Sequence, residues 1–251
     1  MVAFLGFFFQ GIAQDNEMNE MLIELQKTKE DSNRIILLHD IQAGYLDVDN
    51  DSALYYNKQA EALINKLQAE IYRYNCYHAF VKIYHAKFDT ENAVVYCLKG
   101  IDVAAKNKND FQRANSYRAL FSLYFNLRKR DSAIKYAAYA MDLTEKINDT
   151  SNIATMYGNL SRIYNEMDLY DKAIDFGKKG IELGQQYKDY KGMLISMNNL
   201  GNCLMGINRE PEAIPVFENL LLEGQKHKRT RSVLNALINL GILYFNMADE
   251  Q

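Results

Sequence analysis

From about Asn33 onward, apolar residues fall in a helical rhythm that repeats along the chain. Tyr157, Leu160, Ser161 and Tyr164 follow one another at three, one and three residues, which places them on one stripe of an α-helix ending near Met167. Asp168 to Asp171 break the stripe. Ala173, Ile174, Gly177, Gly180, Ile181 and Leu183 then resume it on a second helix running to about Tyr187. The pair recurs: Ala53-Leu54, Ala93-Val94, Ala133-Ile134, Ala173-Ile174 and Ala213-Ile214 stand 40 residues apart. Three further columns keep the step: Tyr84, Tyr124, Tyr164, Leu204, Tyr244; Phe80, Leu120, Leu160, Leu200, Leu240; and Tyr77, Tyr117, Tyr157, Met197, Leu237. A fixed period of this length predicts a solenoid of stacked helix pairs rather than one closed core.

The expected architecture is all-α, about five and a half helix-turn-helix repeats over residues 15–251: 33–69, 70–109, 110–149, 150–189, 190–229 and a partial 230–251. Small residues on the second helix of each pair, such as Ala133, Ala137, Ala140, Gly177 and Gly180, would let backbones approach closely. Mid-helix glycine costs about 1 kcal/mol against alanine, so Gly100 and Gly180 imply that close packing matters there. Pro211 and Pro215 are expected in the first turn or so of the fifth second-helix, where a missing N–H costs little. In the first repeat, Leu38, Ile41 and Tyr45 stand one residue closer to Ala53 than their counterparts do.

These residues carry a family resemblance. Tyr157-x-x-Leu160-Ser161-x-x-Tyr164 with Tyr170-x-x-Ala173, and Leu200-Gly201 with Ala213 and Phe217, resemble the tetratricopeptide repeat in its longer variety of roughly 40 residues. The likeness covers about Asn33 to Gln251. The usual repeat has a Trp at its first aromatic position; this chain has none and places Tyr77, Tyr117 and Tyr157 there. The resemblance implies a right-handed α–α superhelix whose first helices line a concave groove. It also implies a non-catalytic module binding a protein or peptide, similar to the input half of bacterial sensor and regulator proteins.

Composition narrows this picture. With 48% hydrophobic and 24% charged residues the chain is globular, and 2 Pro and 13 Gly are too few for many short strands. Lys+Arg 29 against Asp+Glu 32 gives a net charge of -3, so nothing recruits nucleic acid by bulk charge. Cys76, Cys97 and Cys203 form neither a disulfide framework nor a zinc pattern and read as buried thiols. His78 and His85 share a helical face without a completing ligand, so neither metal nor cofactor is expected. No zinc-protease, serine-hydrolase or phosphate-loop motif occurs, so no catalytic residue is expected.

The two ends carry separate expectations. Val2 to Ala13, within the segment 1–14, is too short to span a bilayer as a helix. It fits the apolar region of a secretory signal, with Gly11 and Ala13 as the small pair, although no Lys or Arg precedes Lys27. The other reading is an apolar helix docking on the first repeat. The signal reading places the mature protein in the periplasm or another extracytoplasmic space; the docking reading leaves it cytoplasmic. The sixth repeat reaches Gln251 without a second helix, so the sequence looks truncated, and a membrane tether is expected only from a region further on. Leu237, Leu240, Tyr244 and Phe245 would then form an open apolar face prone to self-association.

Candidate ligand contacts follow from the inward columns of the first helices. Asn159, Asn199 and Asn239 recur at 40 residues, joined by Asn198 and Asn202; each amide both donates and accepts, which suits an extended main chain. The resemblance adds that an Asn of this helix grips the peptide backbone in peptide-binding members. Lys82, Arg118 and Arg162 point the same way with Glu166 as their only nearby acid, which favours an acidic peptide. Two plainer readings stay open. The asparagines could instead bond neighbouring helices, and the cations could be ordinary solvated charges. A scaffold assembling through second-helix faces and the open C-terminal end is the remaining alternative.

Overall fold

A computed structural model describes residues 17–150 and 152–249, so the signal-like segment 1–14 lies outside the described residues. Two compact units divide the chain, Met1–Leu127 and Arg128–Gln251. In the first, α1 (17–27) precedes α2 (Ser32–Tyr45), α3 (Asn50–Leu67), α4 (Arg73–Ala86), α5 (Thr90–Lys106) and α6 (Asp110–Asn126), with a 3₁₀ turn at Glu70–Tyr72. The second holds α7 (Arg130–Lys146), α8 (Ile153–Asn165), α9 (Tyr170–Gln186), α10 (Tyr190–Gly206), α11 (Glu210–Lys226) and α12 (Thr230–Asp249). No strand occurs among the described residues, and no described helix is long and apolar enough to cross a membrane.

Helix starts and stops explain the alternation. Asp31, Asp49, Asp89, Asn109 and Asp189 accept hydrogen bonds from first-turn amides, the bonds that an α-helix otherwise leaves unmade. At the other ends the chain turns through a left-handed residue every 20 positions: Gln68, Phe88, Lys108, Arg128, Asn148, Asp168, Lys188, Asn208 and Lys228, with φ between 52° and 59°. The amide after such a turn bonds back into the last helical turn, as in Asp89 N–H to Tyr84 O at 2.8 Å and Arg229 N–H to Gly224 O at 2.8 Å. None of these residues is glycine, so every hairpin is closed by a side chain in a conformation that L residues disfavour.

Within each unit the helices of a hairpin pack together and each hairpin stacks on the next, as α2 with α3 and α4 with α5 in the first and α8 with α9 and α10 with α11 in the second. Unit 1 encloses Ile35, Leu38, Ile41, Ile64 and Phe80, and α5 inserts Tyr96 among Tyr77, Phe80 and Tyr84 at ring separations of 5.7, 4.2 and 5.6 Å. Unit 2 encloses Met193, Leu200, Phe217, Leu220 and Leu243, and Phe176 of α9 stands 5.5 Å from Tyr157 and 5.0 Å from Tyr164. The tyrosine columns are therefore sockets for an aromatic of the following helix. Cys76, Cys97 and Cys203 are buried free thiols, and burial pushes the first two up to about 12, leaving them unreactive.

Small residues set how near the helices come. A Cβ on Gly180 would stand 2.2 Å from Ser196 Oγ, and one on Gly158 3.0 Å from the Ser196 backbone nitrogen. Two expectations need correction. Pro215 lies inside α11, beyond the first turn, and removes one bond of the helix ladder there. Leu240 joins the buried core of unit 2 rather than the open face, because its side of α12 packs on α10 and α11.

Candidate binding groove

In unit 2 the first helices of successive hairpins, α8, α10 and α12, are tied by amides. Asn199, nearly buried, donates from Nδ2 to Gly158 O at 2.8 Å, and Ser196 Oγ donates to Ala154 O at 3.1 Å. Both bonds exist because glycine at 158 lets α10 come close enough to reach α8 carbonyls. Asn239 donates to Asn202 Oδ1 at 3.1 Å, linking α12 to α10. Two rungs of the asparagine ladder thus hold helices together, while Asn159 and Asn198 remain at a cleft.

That cleft has a volume of about 580 Å³ and an unusual wall. Arg162 of α8, Lys191 of α10, Lys228 and Arg229 of the turn, and Arg231 of α12 all line it, and no carboxylate does. Asn159, Asn198, Asn199 and Asn235 supply amides, Leu194 and Ile195 an apolar floor. Asn198 Oδ1 is buried there with no hydrogen-bond partner. An acceptor in that state is costly unless a donor arrives. The start of α12 adds the partial positive charge of a helix N-terminus.

Neighbouring contacts hold the cations in place. His227 stacks on Tyr190 with centroids 3.7 Å apart and reaches Glu223 Oε2 at 3.2 Å, fixing the turn that carries Lys228 and Arg229. Glu166, beyond the cleft wall, takes Arg162 Nε at 3.0 Å and Arg130 at 3.2 Å. Burial works to raise its carboxyl, but the hydrogen bonds and charges of those two arginines outweigh burial and hold it below the usual carboxylate range.

Lys82 and Arg118 belong to unit 1, apart from the asparagines. Exposed Lys82 edges two clefts of about 350 and 450 Å³, the larger floored by Val81, Ala119 and Leu123. Arg118 donates to Asn115 Oδ1. His39 and His78, at the smaller cleft, are pushed down by burial, against the charge of Asp40 at His39 and with Lys82 adding to the effect at His78. Among the described residues no group of His, Cys, Asp and Glu could hold a metal ion.

The expected residues therefore separate: Arg162, Asn159, Asn198 and Asn199 meet at one cleft, Asn202 and Asn239 bond each other, and Lys82 and Arg118 lie elsewhere. Lys191, Lys228, Arg229 and Arg231 were not anticipated. The signal for the last three is the basic run Lys226-His227-Lys228-Arg229-Thr230-Arg231, which crosses a helix boundary.

With this geometry in hand, the class is plain. Residues 154–186 match the family model described as tetratricopeptide repeat, and the tandem hairpins have the fold of tetratricopeptide arrays. The chain is similar to a signal transduction ATPase with numerous domains, which has a tetratricopeptide repeat sensor, from Pyrococcus horikoshii, at 14% identity and a TM-score of 0.80. That likeness covers 94% of this chain but 37% of the other, so the chain spans little more than a third of that protein. It is also similar to the apo form of RapI, at 13% identity and a TM-score of 0.77, over 84% of this chain and 77% of that one. A Rap protein complexed with competence and sporulation factor shares 16% identity and a TM-score of 0.61, over 98% and 74% of the two chains. No curated protein matches the sequence.

Proposed function

We propose that this chain is a non-catalytic protein-binding module whose second unit takes an acidic peptide segment in the cleft between α8, α10 and α12. The observation that carries the reading is the wall itself: five basic side chains, no carboxylate, and a buried amide oxygen without a donor. Inorganic anions would satisfy the cations but bring no N–H to Asn198. A peptide with acidic side chains supplies both from one molecule. The fold likeness to a protein with a tetratricopeptide repeat sensor and to a Rap protein complexed with competence and sporulation factor supports the same reading.

The test is fluorescence anisotropy with a labelled Glu-rich peptide on the native chain and on Arg229→Glu with Arg231→Glu. Reversing two charges should weaken binding at least tenfold and flatten its dependence on salt. Equal binding by both proteins would refute the cleft as the site. A sensory role in a bacterial signalling protein belongs to the same proposal, as does extracytoplasmic placement, which N-terminal sequencing of the mature protein checks. If the charge reversals leave partner binding intact while changes on second-helix faces abolish it, the scaffold reading replaces this one.

A further inference from the structure

We infer that unit 1 holds a second binding site, independent of the acidic-peptide cleft, for a small uncharged amphiphile: a primary-amide head at Gln42 and an apolar chain over Val81, Ala119 and Leu123. Two clefts of about 350 and 450 Å³ share Leu46, His78 and Lys82 and so adjoin. Both volumes fall in the range of about 300–1,000 Å³ usual for small-molecule sites. His39, Gln42 and Leu46 follow at three and four residues along α2, and Asn75, His78 and Lys82 do the same along α4, so one stripe of each helix lines the smaller cleft. The larger cleft has Val81, Ala119 and Leu123 as its floor.

Gln42 is 4% exposed and lines the smaller cleft, and its amide hydrogen-bonds no other described residue. That departs from the repeat. The same column holds Val81 and Phe121, both buried and apolar, and Ser161, whose hydroxyl donates to Ala173 O at 2.7 Å. Nε2 of His39, on the wall of the same cleft, is likewise buried without a partner. Buried polar groups are nearly always bonded, and two unanswered ones at one cleft are costly until a ligand meets them.

The charges around them select the kind of ligand. Asp40 and Lys82 line the smaller cleft, Asp47 and Lys82 the larger, so neither wall has the single sign that would favour an anion or a cation. The Gln42 amide offers N–H donors and a C=O acceptor. A carboxylate ligand answers only the donors and an ammonium only the acceptor, whereas a primary amide answers both. Beyond the head, the floor of the larger cleft takes a hydrocarbon chain, which adds affinity through area removed from water.

Ligand-observed NMR titration of the full chain with hexanamide, hexanoate, hexylamine and acetamide tests this. Hexanamide should bind at least tenfold tighter than each of the other three. Gln42→Leu, which gives the column the apolar character of Val81 and Phe121, should weaken hexanamide at least tenfold and leave hexanoate unchanged. Ala119→Gln, on another helix, should weaken hexanamide by filling the path of its chain. Circular dichroism checks that both variants keep the native helicity. Equal affinity for hexanamide and hexanoate, or for hexanamide and acetamide, overturns the inference, as does hexanamide affinity that survives either substitution in a folded protein. Binding that appears only after residues 1–14 are removed would assign the clefts to that segment and refute the small molecule.

Discussion

Alanine at two glycines of unit 2 should act with opposite signs. Gly180 lies on α9 where α10 crosses, and its added Cβ would sit 2.2 Å from Ser196 Oγ, 2.9 Å from Ser196 Cβ and 3.1 Å from Tyr157 Cβ. Ser196 is fully buried, and its hydroxyl already donates to Ala154 O and Gly192 O. The methyl must therefore displace a bonded hydroxyl or part the helices. Overpacking costs about 1–3 kcal/mol, and the disturbed hydrogen bonds about 1 kcal/mol. Against this, alanine returns about 1 kcal/mol of helix propensity. The balance is a destabilisation of about 2 kcal/mol. Gly241 on α12 has nothing within 4 Å of the added carbon, so only the propensity gain remains, about 0.5–1 kcal/mol. Urea unfolding followed by circular dichroism on the whole chain reads both changes. Adding Ser196→Gly to Gly180→Ala should recover more than 1 kcal/mol of coupling in a double-mutant cycle. If Gly180→Ala is neutral, or Ser196→Gly gives no relief, the close approach of α9 and α10 is not what glycine provides there.

Lys188 sits at φ 58° in the turn between α9 and α10, so Lys188→Gly should raise the unfolding free energy by about 0.5–1 kcal/mol in urea unfolding, while Lys188→Ala should not. Glu166→Gln should remove the carboxylate charge beside Arg162 and tighten acidic-peptide binding severalfold in anisotropy. The same change should flatten the acid limb of stability: a depressed carboxyl contributes stability that is full above its unfolded value and lost as pH falls through its lower folded value, and glutamine has none to lose. A Glu166→Gln chain whose pH–stability curve superimposes on the native one would contradict that assignment.

Much of the fold was legible because burial repeats. A column such as Phe80, Leu120, Leu160, Leu200 and Leu240 fixes helix phase through apolar spacing alone. The turns were legible as interruptions but not in their conformation, since Phe88 and Lys108 have no local reason to adopt positive φ. Tertiary packing at both ends of each turn imposes it. The site was half legible. A column tells which face an asparagine occupies, not how near the next backbone lies, so Asn199 could not be told from Asn198. The glycine at 158 decides it, bringing the Gly158 carbonyl within reach of Asn199. Lys191 and Arg229 are far apart in the chain and meet only because α10 and α12 are neighbours.

The left-handed turns at 20-residue intervals have a bearing on how such a chain can change length. Removing residues 189–228 joins Lys188 to Arg229, so the retained lysine still turns the chain and α12 follows α9 where α10 stood. At the new crossing Gly180 meets Ala236 in place of Ser196, a smaller residue that fits the same space. That crossing therefore accommodates the splice, and what the groove loses is Lys191, Leu194, Ile195, Asn198, Asn199 and Lys228. A step of 40 residues thus keeps a first helix against a second helix while changing which side chains line the groove, and a step of 20 would set two helices of the same kind against each other.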